Sequence, residues 1–181
     1  MNNFIRKIST IIRSLYFNFK INQNLNLNGF RIGKGCTVIN AKRINLGNNV
    51  TIGERSILNC YKKNDSYNLK IGNNVQIGRD FQLNAYSSVE IGDGVLIADR
   101  VYISDATHIT KNPEIPVIAQ GTIYKGSINI GKGTWIGVNA CILPGVEIGE
   151  NSIIGANSVV VNNVEKNSVV SGVPAVKIRE K

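Results

Sequence analysis

The sequence predicts an all-β fold, a solenoid wound from hexapeptide turns, and three features carry that prediction. Ile130, Ile136, Ile142, Ile148, Ile154 and Val160 recur every six residues without a slip. Gly131, Gly137, Gly149 and Gly155 each follow one of them. The composition is 43% hydrophobic but only 7% aromatic, which suits aliphatic layers rather than aromatic clusters. A period of six matches neither an α-helix nor a plain strand. It matches a solenoid in which one branched side chain per hexad points inward and three hexads close a triangular coil. The small residue after each inward one is expected to let the chain turn the corner.

Along the chain, the expected division is a basic amphipathic cap over residues 1–28, the solenoid over 29–175 and a C-terminal tail over 176–181. In the cap, Phe4, Ile5, Ile8, Ile11, Ile12 and Leu15 fall at roughly helical spacing, followed by Tyr16, Phe17 and Phe19, with basic residues between. Such a helix either hides the open end of the solenoid or lies on an anionic membrane surface through residues 1–20. The net charge of +9 is local: residues 1–43 hold eight basic and no acidic residues, leaving 13 basic and 12 acidic in the remainder. A basic segment confined to one terminus, without a recognisable module, argues against a nucleic-acid partner.

Ile32, Val38 and Ile44 form the first aliphatic set, and Leu46, Ile52 and Leu58 the second. The two-residue step between Ile44 and Leu46 predicts a corner insertion. A polar stretch, Tyr61–Asn68, leaves the frame before Ile71, Ile77 and Leu83 resume it. Ile91, Ile97 and Ile103 continue the frame, which then lapses until Ile130 and so predicts an excursion loop around residues 104–127. Loops that interrupt a rigid repeat project side chains from a fixed scaffold.

This loop holds the only histidine, His108. Imidazole titrates close to neutral pH and can take a proton from a hydroxyl or amine as it attacks an acyl group. One positioned histidine therefore suffices for direct acyl transfer; the alternative is a plain loop histidine. Asp105, a candidate acceptor-site residue, either orients that ring or shapes the turn. Trp135 precedes the core residue Ile136, so alternation turns its ring outward, onto an interface or a ligand wall. Cys36, Cys60 and Cys141 are odd in number and form no Cys-x-x-Cys pair, which suits a reducing cytoplasm. The first twenty residues, broken by Arg6, Lys7 and Arg13, are expected to form neither a signal peptide nor a membrane span.

Taken together, the run from Ile91-Gly92-Asp93 to His108, Ile130-Gly131-Lys132-Gly133-Thr134-Trp135-Ile136-Gly137, Leu143-Pro144-Gly145-Val146, Ile154 to Val160 and Gly172-Val173-Pro174-Ala175 resembles the hexapeptide-repeat acyltransferases. Within them it is most similar to the galactoside, maltose and xenobiotic O-acetyltransferases and the related capsule and lipopolysaccharide enzymes. The resemblance implies a left-handed parallel β-helix, a homotrimer with active sites between subunits, and acetyl-CoA lying along the groove between neighbouring prisms. His108 matches the family's general base, and Asn84 matches an asparagine that binds the saccharide acceptor. By the same resemblance Trp135 lines the pantetheine tunnel and Gly137, Gly155 and Ala156 lie against the coenzyme, unless those small residues are plain coil corners. A Thr-Lys that helps bind the coenzyme phosphate in relatives is replaced by Val161-Asn162, and one later arginine by Val176, leaving Arg179, Lys177 and Lys166 as the basic candidates.

The resemblance thus implies an acetyl-CoA-dependent O-acetyltransferase acting on a saccharide in surface polysaccharide synthesis, cytoplasmic or peripheral at the inner membrane. An N-acetyltransferase of an amino sugar and a non-catalytic β-helix that binds a partner are the alternatives. A metal-dependent hydratase on the same helix needs three histidine ligands, and a single histidine excludes it.

Overall fold

Inward-pointing branched residues, one or two per strand, turn the hexad frame into three flat walls. The computed structural model describes residues 2–22, 28–61 and 68–181. It contains sheets of eight, six and five strands and one two-stranded hairpin. Each of the first five coils contributes a strand to each large sheet in turn. The first coil, for example, runs through Arg31–Ile32, Thr37–Ile39 and Ile44–Leu46. Pairing between coils is parallel and places like on like: Ile52, Ile77, Ile97, Ile136 and Ile154 stack in one row of the eight-stranded sheet. All five are buried, and each contributes about 1.5–3 kcal/mol by leaving water. The chain is therefore all-β with mostly parallel sheets, apart from its helices. The last strand, Ala175–Glu180, folds back antiparallel on Ser168–Gly172 and covers that edge of the first sheet.

At the opposite end lies helix α1 (Asn2–Asn22). It packs on the first coil, where the Ser14 hydroxyl accepts the Ile32 amide at 3.1 Å and Arg13 donates to the Ile32 carbonyl at 3.2 Å. These bonds occupy backbone groups of an edge strand that would otherwise invite another chain. Residues 23–27 of the expected cap, and all but the two ends of the polar stretch Tyr61–Asn68, lie outside the described residues.

The structure corrects two sequence expectations. Ile44 and Leu46 sit on one strand, in register with Leu69 and Ile71, because alternate residues of a strand share a face. The extra residues are absorbed before them, in the 3-10 turn Ala41–Arg43, entered through Asn40 at φ 54°. The glycines after each inward residue also serve a different purpose. A Cβ on Gly131 would lie 2.5 Å from the Glu150 nitrogen, and one on Gly137 2.6 Å from that of Ala156. They are small because successive coils touch there. The left-handed bend falls two residues later, on Asn139, Asn151 and Asn157 at φ 57–59° and Gly133 at φ 66°. Gly131→Ala is expected to cost about 1–3 kcal/mol by forcing the coils apart; a thermal melt at the wild-type temperature would refute the close-stacking account.

The three cysteines are free. Burial pushes the Cys60 thiol up to about 12, so it packs as a small apolar residue.

Candidate active site

The site is built where the chain leaves the prism. Strand Tyr102–Ser104 of the second sheet is followed by Asp105, whose carboxylate is fully buried. Its Oδ1 accepts the Tyr86 amide at 2.7 Å, and its Oδ2 accepts those of Ser87 and Ser88 at 2.8 and 2.9 Å. Tyr86 to Ser88 form the corner of the preceding coil, so Asp105 ties the root of the excursion to it. Its oxygens are thus turned into the fold and taken by backbone amides of a corner, which is the arrangement the turn-shaping alternative calls for.

From that anchor, Ala106–His108 pairs antiparallel with Thr122–Tyr124, and His108 stands opposite Thr122. The imidazole is exposed. Beyond it the tip carries the short helix α2 (Val117–Gln120) behind Pro116. Gln120 closes the tip, donating to the carbonyls of Asn112 and Ile115 at 2.8 and 2.7 Å. Ile115, Val117 and Ile118 remain exposed there, Ile118 by 86%.

Asn84 lies in the strand next to Ser104. Its Oδ1 accepts from Asn59 Nδ2 at 3.0 Å, and its own amide faces the Tyr102 hydroxyl at 3.5 Å. Two residues on, Tyr86 stacks on Tyr61 with ring centroids 3.8 Å apart. Burial, then the hydrogen bond to Tyr86, pushes the Tyr61 phenol above its ordinary value. The sequence reading missed this tyrosine pair and Asn59. The signal was present, because Asn59 and Asn84 are separated by 25 residues, as are Tyr61 and Tyr86, and that is the coil offset at this point. Asn59 Oδ1 is the buried side-chain polar atom that lacks a hydrogen-bond partner among the described residues.

Trp135 belongs to a different face. Its ring is 48% exposed on the first sheet, in an outward row that runs Leu96, Trp135, Ile153, Val169 and Arg179. A shallow groove of about 400 Å³ adjoins this row, lined by Thr51, Gln76, Leu96, Asp99 and Val138 among others. Gly137, Gly155 and Ala156 follow the first-sheet strands as the chain turns toward the second. Lys177 is held by Glu165 at 2.7 Å and Glu180 at 2.6 Å, and Glu165 first, then Glu180, pushes its ammonium pKa above the ordinary value. Arg179 ends the tryptophan row and donates to the Glu180 carbonyl at 2.9 Å. One chain thus joins Trp135 and Arg179 on one wall, and His108 and Asn84 near the opposite corner, but does not bring the two groups together. Among the described residues, no cluster of three His, Cys, Asp or Glu side chains is placed to hold a metal ion.

The chain is thus a β-helix of stacked hexapeptide coils, interrupted by a hairpin that presents its one histidine, and comparison with known proteins places it in a class. Residues 127–162 match the family described as bacterial transferase hexapeptide (six repeats). The chain is 33% identical over 152 residues to a putative lipopolysaccharide biosynthesis O-acetyl transferase, WbbJ, of Escherichia coli K12, covering 80% of this chain and 76% of that one. It is 43% identical over 93 residues to the E. coli galactoside O-acetyltransferase, covering 51% of this chain and 44% of that enzyme. Among solved structures, AntD, an N-acyltransferase from Bacillus cereus in complex with dTDP and 3-hydroxybutyryl-CoA, superposes with a TM-score of 0.73 at 26% identity, covering 84% of this chain and 80% of that one. A mutant of AntD was solved with dTDP-4-amino-4,6-dideoxyglucose and coenzyme A. The chain belongs to the hexapeptide-repeat transferase family and is an acyltransferase.

Proposed function

We propose that this enzyme transfers acetyl from acetyl-CoA to a hydroxyl of a saccharide, in the cytoplasm, as a step in surface polysaccharide synthesis. The observation that carries the reading is His108, exposed on a hairpin whose root is pinned by the buried Asp105 carboxylate. A ring nitrogen of His108 takes the proton of the acceptor hydroxyl as its oxygen attacks the thioester carbonyl. A backbone amide holds the developing oxyanion. The carbon–sulfur bond then breaks, and the imidazolium returns the proton to the departing thiolate. Asn84 orients the acceptor. Trp135 packs against the pantetheine arm, with the backbone of Gly137, Gly155 and Ala156 beside it, and Arg179 meets a coenzyme phosphate. Lys177 contributes to the same phosphate region only by exchanging Glu165 or Glu180 for it.

In this reading the prism winds left-handed and three chains assemble, so that His108 of one faces the tryptophan wall of the next. Two features support it: His108 and Trp135 lie on different faces of one chain, and the tip next to His108 exposes Ile115, Val117 and Ile118. The acceptor is identified by screening saccharides with acetyl-CoA and following free thiol. Release is expected with a sugar that bears hydroxyls and no amine. Release with amino sugars alone would overturn O-transfer in favour of N-acetylation, the second reading, which the structural likeness to AntD and its amino-sugar complex favours.

A further inference from the structure

Helix α1 turns a mixed face, Ser14, Phe17, Asn18 and Ile21, toward the prism and a second, apolar stripe away from it. Ser14 and Asn18 are 1% and 2% exposed against the first coil, whereas Ile8, Ile11, Ile12, Tyr16 and Phe19 are 41–62% exposed. With Leu15, these residues occupy positions i, i+3, i+4, i+7, i+8 and i+11, a continuous apolar face of the kind that helices normally bury. An end cap needs only the inward face, through Ser14, Phe17, Asn18 and Ile21. The outward stripe therefore requires an occupant of its own, because a contiguous apolar patch left in water is unfavourable and marks an interaction site.

Charge selects the occupant. Lys7 and Lys20 are exposed beside the stripe, and the Lys20 ammonium sits 4.6 Å from the centre of the Tyr16 ring. Residues 1–43 contain no Asp or Glu, so a second copy laid stripe to stripe would bring two uncompensated basic segments together. An anionic bilayer supplies both an apolar interior for the isoleucines and negative headgroups for the lysines. Among the described residues no helix is long and apolar enough to cross a membrane, so the contact is with its surface.

We propose that the Ile8–Phe19 stripe of α1 seats the protein on an anionic phospholipid surface, with Lys7 and Lys20 at headgroup level. The full chain is mixed with phosphatidylcholine vesicles, with or without about one third phosphatidylglycerol, and separated by flotation at physiological salt. Wild-type protein is expected to float with the anionic vesicles and not with the neutral ones. The paired substitutions Ile12→Asp and Phe19→Asp should weaken partitioning at least tenfold. Lys7→Glu with Lys20→Glu should do the same, since each lysine lost accounts for roughly fivefold. All four positions are exposed, so melting temperature and acyl transfer to a water-soluble acceptor should be unchanged; vesicle binding thus stands or falls independently of the proposed reaction. Equal flotation of wild type and the Ile12→Asp, Phe19→Asp variant would overturn the proposal. So would failure of the wild type to float, and an accompanying fall in oligomer size on those substitutions would then assign the stripe to a second copy.

Discussion

Replacing His108 by alanine is expected to lower turnover by at least about 100-fold while leaving acetyl-CoA affinity within about twofold of wild type. The two numbers separate because, in the proposed mechanism, His108 moves protons and does not hold the coenzyme. His108 stands on the hairpin, opposite Thr122, while Trp135 and Arg179 share an outward row on the first sheet. A residue that only moves protons during the reaction changes kcat and not the coenzyme's dissociation constant. Because the imidazole is exposed, its removal should alter stability by no more than about 0.5 kcal/mol. Single-turnover rates and equilibrium titration with acetyl-CoA check both halves. A well-folded variant that retains turnover would remove His108 from the mechanism. Weakened acetyl-CoA binding with unchanged turnover would place it on the coenzyme instead.

The hexad frame was legible because the prism has one narrow interior: every inward position sees the same aliphatic environment, so the pattern repeats in the sequence as it does in space. The same regularity made His108 conspicuous, as a histidine where the frame lapses. What the frame hides is the contact between coils. Gly131 and Gly137 look like flexible corners in one dimension, but they are close approaches between chain segments 18 or 19 residues apart, with the bends themselves falling two residues later, on Gly133 and Asn139. Asn59 with Asn84, and Tyr61 with Tyr86, become partners only once the 25-residue offset of that coil is known. In α1 the helical spacing was readable, but not which stripe faced inward. That choice is made by the Ile32 amide donating to the Ser14 hydroxyl and by Arg13 donating to the Ile32 carbonyl, and hydrophobic periodicity does not record these bonds.

Asp105 provides the second large effect, expected in stability. Asp105→Ala should destabilise the protein by about 3–5 kcal/mol, because three backbone amides, those of Tyr86, Ser87 and Ser88, lose their acceptor at once at a fully buried position. Asp105→Asn should recover only part of this. An amide has one acceptor oxygen, which can take the place of Oδ2 and serve Ser87 and Ser88, but its NH₂ group then points at the Tyr86 amide, donor against donor. The order of melting temperatures should therefore be wild type, then Asn, then Ala. Turnover should fall in parallel, since the corner of one coil and the root of the His108 hairpin are held by the same carboxylate. If Asp105→Ala melted with the wild type yet lost activity, the carboxylate would belong to the chemistry, as an orienter of His108 or a ligand of the acceptor. Loss of both together identifies it as the clamp that lets an exposed histidine keep a fixed position on a two-stranded hairpin.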